Sequence, residues 1–171
     1  MSISRAYRFY PSPASLLRIL LILTMSACVF ISDARAGGSD KYPKCFIGTF
    51  LVKEGNGTTS VWSLGARGVL MITSSAQEAL NFSTAQGAWV RTGKLQAQAT
   101  SLDFSFDSEG GLINTAKVNA DLTFTDKNCG AMEGEFTVYF YQPDVDPLDP
   151  DSVPENIITD TFTGQRVTVE Q

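Results

Sequence analysis

Histidine is absent from this chain of 171 residues. That removes Ser-His-Asp and Cys-His nucleophilic sites in their usual form. It also removes nearly every zinc site, because cysteines this few rarely hold the metal without imidazole. Cysteine is scarce, at three residues. Positive charge is in deficit, with 13 Lys and Arg against 18 Asp and Glu and a net charge of −5. A nucleic-acid partner is therefore disfavoured, since binding phosphates needs a basic footprint. Adhesion to anionic lipid is disfavoured for the same reason. No segment carries a long helical period, and no motif calls for a cofactor or a metal.

What is present begins with a leader. Arg5, Arg8 and Arg18 precede the apolar run Ile19–Ile31, and Ser32-Asp33-Ala34-Arg35-Ala36 gives a small-x-small ending. This is the order of a secretory signal peptide, with cleavage expected after Ala36. The run of 13 residues is short of the roughly 20 that a spanning helix needs, so no membrane span is expected after cleavage. Met25-Ser26-Ala27-Cys28 loosely resembles a lipobox, which makes lipid anchoring at Cys28 an alternative. Residues 37–171 then form a single domain, periplasmic or secreted. Taking four Arg and one Asp from the totals leaves 9 basic and 17 acidic residues, a net charge of −8. Cys45 and Cys129 survive cleavage, and an even pair in an exported chain reads as one disulfide.

Short alternating runs punctuated by Gly, Asn and Asp predict antiparallel strands. They are 45–53, 60–73 with a bend at Gly65 and Gly68, 87–91, 94–106, 112–124, 132–141, 157–163 and 165–170. Residues 74–86 are read as a loop or short helix. A meander of about eight strands closes most naturally into an up-and-down barrel, an all-β fold, with a two-sheet sandwich as the alternative.

Gly48-Thr49-Phe50 on the first strand and Arg166 near the end of the last resemble the lipocalin or calycin arrangement. In that family a Gly-x-Trp is covered by an Arg from near the barrel's end; here Phe50 stands in the Trp position. The resemblance implies that Gly48, Phe50 and Arg166 close one barrel end, with an aromatic plug under a cation–π lid. Over most of residues 45–171 the chain is also similar to small exported bacterial proteins of unassigned activity. The similar parts are GAWVRTGKLQAQATSLDFSFDSEGGL, PDVDPLDPD and TFTGQRVTVE.

Candidate chemistry centres on the interior. Ala97, Ala99, Ala116, Ala120 and Gly134 either leave a hollow or offset bulky phenylalanines in a filled core. Phe104, Phe106, Phe136 and Phe140 are expected to line any hollow and to meet a small apolar ligand. Trp89 and Arg91, two apart on one strand face, are read as an aromatic wall with a polar handle for a carboxylate or carbonyl, or as an exterior stack. Asp103 and Asp107, and Glu133 and Glu135, are expected on the solvated face, opposite Leu102-Phe104-Phe106 and Met132-Gly134-Phe136. Pro143–Glu155 carries five acids between four prolines. It starts like a calcium loop at Asp144-Val145-Asp146, but Pro147 follows and no Gly supplies the turn. It is read as a stiff connector, with a lid or recognition loop as the alternative.

Three functions follow as expectations. The first is a non-enzymatic, exported lipocalin-like barrel that binds a small apolar or amphipathic molecule. The second is a hollow-barrel cyclase or isomerase resembling allene oxide cyclase or dirigent proteins, which need no histidine triad. The third is a filled-core structural or interaction protein of the cell envelope.

Overall fold

A computed structural model describes residues 42–170. The expected leader, its cleavage site and Cys28 lie outside the described residues. Eight antiparallel strands close on themselves in sequence order. They are β1 (Gly48–Glu54), β2 (Thr59–Leu64), β3 (Val69–Ser74), β4 (Ala85–Arg91), β5 (Gln96–Phe106), β6 (Leu112–Phe124), β7 (Ala131–Tyr141) and β8 (Asn156–Arg166). A four-residue helix, α1 (Gln77–Leu80), interrupts the β3–β4 connection. The seam is the β1–β8 pair, running from Phe50 opposite Arg166 to Glu54 opposite Phe162. The sandwich alternative is thereby excluded: no sheet edge is left unpaired.

Two strand boundaries differ from the sequence pattern. Residues 60–73 form two strands, because Arg67 (φ 62°) and Gly68 (φ 82°) both take left-handed backbone, which turns the chain back on itself rather than bending it. Residues 157–166, read as two strands around Gly164, form one. There Gly164 is an inward position packed by Met132 and Val52, not a turn.

The interior has two halves. Connections 65–68, 92–95 and 125–130 and the entering chain 42–47 gather at one end, which is plugged by rings. Phe46 and Phe124 have centroids 4.3 Å apart, Phe50 and Phe124 5.7 Å, and Phe46 and Trp89 6.0 Å. Leu64, Leu70, Leu122 and Met132 fill the gaps between them and are essentially fully buried. Each such side chain contributes about 1.5–3 kcal/mol, so this half supplies most of the core. Towards the other end small or polar side chains join the inward positions, Ser60, Ser74, Ala85, Ser101, Asp103 and Ala116 among them, beside larger apolar ones on β7.

Candidate functional site

The plugged end is built around Arg166. Its Nε donates to Cys129 O at 3.0 Å and its Nη1 to Ile47 O at 2.9 Å. Nη2 donates to Cys45 O. The guanidinium carbon lies 4.6 Å from the Phe50 ring centroid. A Cβ at Gly48 would stand 2.0 Å from Nη1, so this position needs glycine for the guanidinium to reach its carbonyls. Cys45 and Cys129 form a disulfide across 84 residues of sequence. Cys129 adopts φ 55° in a turn held by Asp126. That carboxylate accepts from the amides of Asn128, Gly130 and Ala131 at 2.7, 2.9 and 3.0 Å. The Asn128 amide bond, foremost, holds Asp126 below the usual carboxylate range, with smaller help from the other amides and Arg166.

Trp89 and Arg91 belong to this closed end. Trp89 is buried, its Nε1 donates to Gly65 O at 3.0 Å, and Tyr42 packs edge-on at 5.2 Å. Arg91 Nε donates to Gly93 O at 2.6 Å. Neither residue lines the cavity described next. Their placement follows from strand direction, since β4 runs towards the plug and ends there.

The opposite half of the barrel holds a cavity of about 350 Å³. Phe136, Val138 and Phe140 on β7 and Ala116 and Val118 on β6 form one wall. Trp62, Ile72 and Ala85 form another, and Leu80 and Phe82 from the α1 segment reach the rim. Gly134 helps to set the depth. A Cβ there would meet Asp121 O at 2.1 Å and the Phe162 ring at 2.7 Å. The bare backbone lets Phe162 pack at a tilt against Trp62 at 4.8 Å, and Trp62 lines the cavity.

Phe104 and Phe106 do not line the cavity, contrary to the expectation from the sequence. Strand β5 pairs without a break from Gln96 to Ser105, so one parity faces inward throughout. That parity is Ala97, Ala99, Ser101, Asp103 and Ser105. Phe104 faces out and is 46% exposed; Phe106 lies beyond the register shift after Ser105 and is off the cavity lining. The same geometry reverses the expectation for Asp103. It faces the cavity and is only 8% exposed. Glu133 and Glu135 are exposed on the outer face of β7, and Asp107 holds the β5–β6 turn by accepting from Glu109 and Gly111 amides.

Asp103 is the unusual group of the site. Burial alone pushes its carboxyl from 3.8 up to about 6, with no hydrogen bond or cation to offset the loss of water. Isolated buried carboxylates respond in this way. Two further cavity-lining residues have unpaired buried atoms, Trp62 Nε1 and Asn114 Oδ1, and Ser101 Oγ on the same face of β5 is a third. Glu54 also lines the cavity and accepts from Ser60 Oγ. Native interiors leave few polar groups unsatisfied, so their concentration around one cavity marks it out. Asp103 was legible only through the parity set by Ala97 and Ala99; apolarity alone favoured the other face.

The acidic segment 142–155 contributes nothing to the cavity lining. It folds against the outer wall, where Lys117 Nζ donates to Pro147 O at 2.6 Å and lies 5.2 Å from the Tyr141 ring centroid. Two of its acids serve its own turns. Asp146 Oδ1 accepts from Leu148 N at 2.8 Å, and Asp149 Oδ1 from Asp151 N at 2.9 Å. Among the described residues no three His, Cys, Asp or Glu side chains converge as metal ligands, and no helix is long and apolar enough to cross a membrane.

No family model, curated protein or solved structure matches the chain.

Proposed function

We propose that this protein is an exported, lipocalin-like barrel that binds a small apolar or amphipathic molecule in the open half of its interior. The observation that carries the reading is the cavity of about 350 Å³, walled mainly by apolar side chains and bordered by a few polar ones. That combination is typical of small-molecule sites. The Arg166 lid over Phe50 supports the lipocalin-like comparison, and the Cys45–Cys129 disulfide supports an oxidising compartment. The test is native mass spectrometry on protein purified from its own envelope fraction. A reproducible bound mass is expected, and it should be lost in an Ala116→Phe variant, whose ring occupies the cavity. Recovery of empty protein alone would overturn the reading.

A second reading, a hollow-barrel cyclase or isomerase, is favoured by one observation. A carboxyl raised to about 6 inside a pocket is poised for proton transfer near neutral pH. The same experiment separates the two. An Asp103→Asn variant that retains a different mass from the wild type marks an unconverted substrate; the same mass, or simply less of it, marks carriage.

A further inference from the structure

The lining of the cavity carries acids and no base. Glu54 and Asp103 are its only ionisable side chains; no Lys or Arg is among the lining residues, and the chain has no histidine. Asp103 and Asn114 stand on adjacent strands, Asp103 opposite Ala116 and Asn114 opposite Ser105. They are therefore diagonal neighbours on one inward face, a spacing of roughly 7–8 Å. A group lodged between them meets a carboxylate perturbed by burial alone and an amide whose buried oxygen has no partner. Rotating that amide by half a turn keeps its shape and presents either atom. Both sides of the gap can thus accept hydrogen bonds.

Resting on the reading of the barrel as a ligand carrier, we propose that its occupant is an apolar molecule bearing a protonated amine, with the ammonium seated between Asp103 and Asn114 and the hydrocarbon against Phe136, Val138 and Phe140. An ammonium carries three donors and no acceptor, which complements two acceptors. The carboxylate has already lost part of its hydration on folding, so pairing with a cation gains attraction at a reduced desolvation cost for that group. Charge-assisted hydrogen bonds of this kind are about twice as strong as neutral ones. A fatty acid meets the opposite situation, because its carboxylate would be buried beside Asp103 and Glu54 with no cation in the lining. The site therefore discriminates by charge at the polar end and by fit along the tail.

The test is isothermal titration calorimetry at pH 7.5 with decylamine, decanol and decanoic acid, which share a tail and differ at the head. Decylamine is expected to bind at least about tenfold more tightly than decanol, a difference within the range of one charge-assisted contact, and decanoic acid more weakly than either. In Asp103→Asn the preference for amine over alcohol should vanish while decanol still binds, which also shows that the variant is folded. If that variant does not fold, the wild-type ranking of the three ligands still decides. Equal binding of amine and alcohol, or tightest binding of the acid, would overturn the amine assignment and leave the carrier reading standing. Failure of all three to bind would overturn both.

Discussion

At the scale of single residues, Asp103 makes stability depend on pH in an unusual direction. Its carboxyl is raised in the folded protein, from 3.8 to about 6, so between those values the folded state holds more protons than the unfolded one. Stability must then fall as pH rises through this window and level off above it. Asp126 works in the opposite direction and a lower window: its folded carboxyl is depressed, so what it contributes is present above pH 4 and lost as pH falls below the ordinary carboxylate value. Urea unfolding from pH 4 to pH 8 should show the Asp103 decline in the wild type. Asp103→Asn should abolish it and leave the variant more stable at pH 8, on the order of 3 kcal/mol. A variant less stable than the wild type at pH 8 would show that Asp103 has a stabilising partner. The residue was hidden in the sequence because Leu102, Phe104 and Phe106 form the more apolar side of β5. A strand that lines a hollow does not need bulk inside, and there the usual rule that the more apolar face points inward gives the wrong face.

At the scale of elements, the strand total is legible in the sequence, but two boundaries are not: β2 and β3 look like one bent strand, and β8 looks like a pair. In both places glycine was the misleading signal. Gly68 needs its left-handed backbone for a true reversal, whereas Gly164 is needed for space against Met132. Sequence shows the glycine and not which of these demands it meets. The acidic segment presents a similar contrast. Its composition is the most unusual in the chain, yet Asp146 and Asp149 are engaged in its own turns and Lys117 ties it to the outer wall of the barrel. Replacing residues 143–154 with a short Gly-containing turn should lower the melting temperature modestly and leave decylamine affinity within about twofold, since exposed loops tolerate such changes. A large loss of affinity would instead make the segment part of the mouth.

At the scale of the whole molecule, the packed plug and the cavity lie at opposite ends of the barrel. The plug carries the Phe46, Phe50, Trp89 and Phe124 rings, the arginine clamp and the disulfide; the cavity carries the unsatisfied polar groups. Joining residues 84 apart in sequence lowers the entropy of the unfolded chain by an amount equivalent to about 4 kcal/mol. A Cys45→Ser/Cys129→Ser double variant should lose stability of that order in urea while its ligand ranking stays the same. Binding that failed in a still-folded double variant would show that the two ends are coupled. The closed barrel was legible from strand number and short turns; the division of its interior was not, because it depends on the inward parity of every strand at once.

The seam between the first and last strands also governs when the molecule can be finished. Arg166 clamps carbonyls of Cys45 and Ile47, and Phe50 pairs with Arg166 itself, so nearly the whole domain must be available before either contact forms. Until then β1 and β7 are raw edges, open to pairing with other chains. Contacts this distant in sequence are slow to find. The barrel is therefore most exposed to aggregation in the interval just before its last eleven-residue strand pairs with both of its neighbours.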